Sequence, residues 1–155
     1  MDHDTDTTPA GFARYANEFL NAALITDSGM GGGTEYDHFA PVPVMYLIGH
    51  SIELSLKSYL LYSGDTVDDV KFNFGHNLLR ALEVANDKGL NDHVTFDDVE
   101  LGALEVLEKL YATKQLNYIQ TGFKEFPVFG PLESLAKKVL EAVSGLVGWR
   151  VSYKD

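Results

Sequence analysis

Three ionisable residues, His50, Glu53 and Lys57, are set into one of the most apolar stretches of the chain, VPVMYLIGHSIELSLKSYLLYSG from Val42 to Gly64. Spacings of three and four stack them along one edge of a helix, each within reach of the next. Charge in such surroundings is costly unless it is paired, so the ladder is either satisfied internally or put to use. In the internal reading Glu53 precedes Lys57 in the favourable order, and His76, at the start of the next helical segment, closes the set on Glu53. In the chemical reading His50 or His76 forms an acid/base pair with Glu53, in a pocket between the second and third helices. A metal reading uses the same residues and fits poorly. Di-iron bundles need Glu-x-x-His twice with two further carboxylates, whereas here the order is His-x-x-Glu and occurs once. No metal or cofactor is expected.

These residues need a helix to hold them, and the pattern supplies one. Val44, Ile48, Ile52, Leu56 and Tyr59 recur on one helical face, and Leu47, Leu54, Leu60 and Leu61 widen it into a central helix packed on several sides. Ahead of it, Phe12, Ala16, Phe19, Leu20, Ala23 and Leu24 keep a helical period until Asp27-Ser28-Gly29. Beyond Ser63-Gly64, Thr66 to Asp69 reads as a short capped turn. A third helix carries Leu78, Leu79, Leu82 and Ala85, with Lys88-Gly89 as its stop. A fourth opens with Thr95 as cap and Asp98 in its first turn, and turns inward Val99, Ala103, Leu104, Val106, Leu107, Leu110 and Tyr111 on the way to Tyr118. Gly130-Pro131 opens the last, with Leu132, Leu135, Val139, Ala142, Val143 and Leu146 inward. The tail from Trp149 reads as a short strand or a frayed end. The expectation is all-α: a four- to five-helix up-and-down bundle, one domain over residues 11–150 with residues 1–10 as a disordered lead-in.

The Gly-rich connection at 29–43 reads as a flexible linker. It lacks the Lys-Ser/Thr and the preceding strand that a phosphate cradle needs. Asn117 and Tyr118 follow the fourth helix's apolar face, where they satisfy a neighbouring backbone group or, with Lys57, contact a ligand. The aromatics Tyr111, Tyr118, Phe123, Phe126 and Phe129 read as core or dimer surface rather than a base-stacking platform. His3, His38 and His93 fall in expected loops.

Composition narrows the function further. There is no cysteine, so thiol chemistry, disulfides and Cys-ligated metals are excluded. Twelve Lys+Arg against 23 Asp+Glu leave a net charge of −11, and no basic cluster exceeds Lys137-Lys138, which argues against nucleic acid as a partner. No apolar run approaches the ~20 residues of a membrane-spanning helix, and the polar, acidic first ten residues are the reverse of a signal peptide. A soluble, cytoplasmic protein is expected.

An apolar helix with His50-x-x-Glu53-x-x-x-Lys57, followed by Gly75-His76-x-Leu78, resembles the HEPN family of small helical-bundle proteins. Leu116-Asn117-Tyr118 and the Phe126-Pro127 turn resemble a stretch of one HEPN branch, so that the likeness spans roughly residues 42–146. The resemblance implies a four- or five-helix bundle, usually a homodimer, often encoded beside a minimal nucleotidyltransferase in toxin–antitoxin-like or defence systems. Many members are ribonucleases that place an Arg-x(4–6)-His motif from each subunit around a shared cleft. Here Arg14, Arg80 and Arg150 have no histidine five to seven residues later, and Lys124-Glu125 stand where that branch has the Arg of Arg-Tyr-Pro. That chemistry needs a cation on the phosphate and an imidazole for proton transfer. The expectation is therefore a non-catalytic HEPN-like binding or regulatory protein, with a nucleotidyltransferase as candidate partner. The alternatives are a divergent ribonuclease or toxin using His50, Glu53 and His76, and a small-ligand-binding bundle with its pocket around the second helix.

Overall fold

The computed structural model describes residues 7–30, 41–111 and 128–153, apart from the side chains of Phe72 and Asn73. Six α-helices follow one another: α1 (Pro9–Gly29), α2 (Val42–Tyr62), α3 (Val67–Phe74), α4 (Leu78–Asp87), α5 (Asp98–Tyr111) and α6 (Phe129–Val147). There is no strand among the described residues, and none of their helices is long and apolar enough to cross a membrane. The chain folds as an all-α bundle, as its periodicity predicts.

Helix α2 lies at the centre. Twelve of its 21 residues are buried, because α1, α4 and α6 all pack on it. Its Ile48, Ile52, Leu56 and Leu60 meet Leu20 of α1, Leu104 and Leu107 of α5, and Leu132, Leu135 and Val139 of α6 in one core. Each such side chain is worth roughly 1.5–3 kcal/mol of burial. Serine hydroxyls let α1 lie close along α2: Ser51 Oγ donates to the Ala16 carbonyl at 2.7 Å and Ser58 Oγ to that of Pro9 at 2.5 Å.

All five expected helices are present, and the differences are at their ends. The capped turn at Thr66–Asp69 is the start of α3: Thr66 and Asp69 form a reciprocal capping box that carries eight residues into a helix. Helix α5 is capped by Asp97 rather than Thr95, since Asp97 Oδ1 accepts from Glu100 N and Glu100 Oε1 accepts from Asp97 N. With that start Glu100, not Val99, faces inward, and Val99 is 65% exposed. Helix α6 begins at Phe129, placing Pro131 third rather than first; its missing N–H is still one that the first turn would leave unpaired. The described part of the tail, Trp149 to Tyr153, forms no strand and is tied down. Asn17 of α1 holds it, accepting from Trp149 Nε1 and Ser152 N and donating to the Ser152 carbonyl. Residues 31–40 of the Gly-rich connection lie outside the described residues, as do Asn117 and Tyr118.

Candidate functional site

The site is built around Glu53, which is 4% exposed on the buried side of α2. One turn on, Lys57 Nζ donates to Glu53 Oε2 at 2.8 Å, in the i,i+4 order that the sequence sets up. The same ammonium donates to the Gly75 carbonyl at 2.7 Å. Gly75 sits at φ +52°, a conformation glycine adopts without the penalty of a Cβ, and so forms the tight turn between α3 and α4. Asn77 caps α4 by accepting from Arg80 N, and Glu108 of α5 accepts from Leu79 N. The turn between them is thereby pinned, and His76 Nδ1 reaches Glu53 Oε1 at 2.8 Å.

The third partner comes from the last residue of α5. Tyr111 donates its hydroxyl to Glu53 Oε1 at 2.9 Å, and its ring lies on α2 where Gly49 has no side chain. A Cβ at residue 49 would stand 3.0 Å from the ring. His50 completes the group, with Nδ1 3.2 Å from the Tyr111 oxygen and 4.0 Å from Glu53 Oε1.

Electrostatics assign the protons. Burial alone would raise the Glu53 pKa, but hydrogen bonds from Lys57, His76 and Tyr111 outweigh it and hold the carboxyl below its ordinary value, so it is ionised at neutral pH. Burial and the adjacent Glu53 charge push the Tyr111 phenol well up, so it keeps its proton. Burial, more than the neighbouring charges, lowers the His50 pKa and leaves it neutral. Tyr111 has one proton and gives it to an ionised carboxylate, the stronger acceptor. His50 therefore carries its proton on Nδ1 and donates to the phenol oxygen, while His76 donates from Nδ1 to Glu53.

Beside the cluster is a hollow of about 350 Å³, open to solvent and lined by Phe19, Tyr46, Leu47, His50, His76 and Tyr111. Its aromatic rings meet edge to face: Phe19 with His50 at 4.5 Å between centroids, Tyr46 with Tyr111 and His76 with Tyr111 both at 5.9 Å.

Of the residues singled out in the sequence, the structure brings together His50, Glu53, Lys57 and His76. It adds Tyr111, which the sequence pattern places among core aromatics rather than polar partners. The signal for it is Gly49, a glycine inside an apolar helix, which marks close approach by a neighbour. Among the described residues no group of three His, Asp or Glu side chains could hold a metal ion. Arg14 and Arg80 lie in exposed pairs with Glu18 and Glu83 on their own helices.

Fold and site together define an all-α bundle with a carboxylate-centred polar cluster opening on an aromatic hollow. No family model, curated protein or solved structure matches the chain.

Proposed function

We propose that this chain is a non-catalytic, HEPN-like binding protein that acts through a partner rather than by cutting RNA. The supporting observation is the commitment of Glu53: Lys57, His76 and Tyr111 all donate to it, so most of a carboxylate's roughly four acceptor positions are occupied. A group so held orients its neighbours and is a poor base toward substrate. Lys57 is bound in turn to Glu53 and Gly75, and among the described residues no lysine or arginine lines the hollow to steady a phosphate. The homodimer and the nucleotidyltransferase partner rest on the resemblance alone.

A divergent ribonuclease is the second reading. What favours it is the Glu53–His76 pair, in which the carboxylate orients an imidazole whose side chain is 61% exposed, the arrangement of an activated base.

RNA cleavage by the purified protein and its His76→Ala variant separates the two. The expected result is no cleavage by either. Cleavage that disappears in the variant overturns the binding reading. Light scattering tests the dimer, and co-purification with a minimal nucleotidyltransferase tests the partner.

A further inference from the structure

The hollow's chemistry follows from where the protons are. His50 spends Nδ1–H on Tyr111, and His76 spends Nδ1–H on Glu53. Each ring therefore has its Nε2 left over, with no partner among the described residues. The Tyr111 hydroxyl donates to Glu53 and accepts from His50, so it has little capacity for a third group. His50 is neutral, and its Nε2 is then a lone-pair acceptor.

The walls favour a ring. Phe19, Tyr46, Leu47 and Tyr111 supply apolar and aromatic surface, and the edge-to-face contacts already present are the geometry that an inserted ring would continue. A hollow of about 350 Å³ lies at the lower end of the usual range for small-molecule sites, roughly 300–1,000 Å³. An anion finds no lysine or arginine among the described residues of the lining.

We propose that this hollow binds a small, uncharged heteroaromatic molecule through an N–H donated to His50 Nε2, its ring packed among Phe19, Tyr46 and Tyr111. The proposal rests on the binding-protein reading above and gives that reading a ligand class. Binding is non-covalent. His50 acts as the acceptor, and Glu53 and Tyr111 are positioning residues that fix its tautomer.

The test is calorimetric titration of the full chain with three probes of similar shape. Indole carries the ring N–H, benzofuran replaces it with oxygen, and indole-2-carboxylate adds a negative charge. Indole is expected to bind saturably and benzofuran about tenfold more weakly, as for a part-buried acceptor left without its donor. The carboxylate is expected to bind more weakly than indole. In His50→Phe, which keeps a ring against Phe19 but has no acceptor, indole and benzofuran are expected to bind equally. Absence of saturable indole binding, equal binding of indole and benzofuran to the native chain, or tighter binding of the carboxylate each overturns the proposal. Should His50→Phe fail to fold, the probe ratio on the native chain decides alone. RNA cleavage is a separate readout: it would overturn the non-catalytic reading and leave the indole-to-benzofuran ratio to judge the hollow.

Discussion

Three carboxylates are buried among the described residues, Asp27, Glu53 and Glu100, and the last two make different things of the same chemistry. Glu53 on α2 and Glu100 on α5 are 4% and 2% exposed. Each meets a lysine, Lys57 at 2.8 Å and Lys138 at 2.7 Å, and each accepts from a hydroxyl, of Tyr111 and of Ser134. Around Glu100 every partner belongs to a helix it fastens. Asp97 and Glu100 cap α5 reciprocally, while Ser134 and Lys138 tie it to α6. Around Glu53 the partners are imidazoles and a phenol as well as an amine, and His50 and His76 each have a second nitrogen to spare. A buried carboxylate is a structural tie when its partners are used up by it, and part of a site when they are not.

The comparison can be broken by removing each carboxylate in turn. Glu53→Leu strands a Lys57 side chain only 11% exposed, together with the Tyr111 hydroxyl, and should cost about 3–5 kcal/mol. Glu100→Leu releases a Lys138 side chain already 42% exposed and leaves Asp97 as the cap, so about 1–2 kcal/mol is expected. Denaturant midpoints of the two variants measure the difference, and equal losses would dissolve the contrast.

The two regions also differ in how they use glycine. Gly49→Ala gains helix propensity of about 1 kcal/mol but drives a Cβ to 3.0 Å from the Tyr111 ring, an overpacking of about 1–3 kcal/mol. A net loss near 1 kcal/mol is expected. At Gly102 of α5 a Cβ meets nothing within 4 Å, and Gly102→Ala should stabilise by about 0.5–1 kcal/mol. Paired thermal melts read the opposite signs.

The smallest effect is on pH. Both carboxyls have lowered pKa values when folded, so their contribution is full above the ordinary value of 4.5 and is lost as pH falls through the folded ones. This limb is common to both regions. His50 adds one that Glu100's surroundings lack. Its folded pKa is below the ordinary 6.5, so the unfolded chain takes up its proton first and stability falls as pH drops below about 6.5. Melting temperatures between pH 8 and 5 should show this early decline in the native chain and not in His50→Phe.

The fold was largely legible because helical burial is periodic. The apolar positions of α2 and α6 recur at three and four, and no strand pattern competes. Helix ends were less legible. Thr95 and Asp97 are both good caps in sequence, and what selects Asp97 is the reciprocal bond with Glu100, itself held by Lys138 on another helix. Val99 was misplaced for the same reason. In the site, the i,i+4 pair Glu53–Lys57 is a local contact that spacing alone specifies, and His76 was correctly joined to Glu53. Tyr111 was not, because 58 residues separate it from Glu53 and its pattern as a core aromatic is indistinguishable from that of Leu110.

The sequence by itself determined an all-α chain, a central helix with its charges on one edge, and the absence of any thiol chemistry. These follow from composition and from spacings within one turn or two, where geometry is set by the helix. Only the tertiary structure decided that α5 delivers Tyr111 onto Gly49 and that Asn17 seizes the tail. It also decided that Glu100 closes on its partners while His76 and Tyr111, which hold Glu53, line a hollow. Those contacts join residues distant in sequence, and which of them meet is settled by packing of the whole bundle rather than by any local pattern.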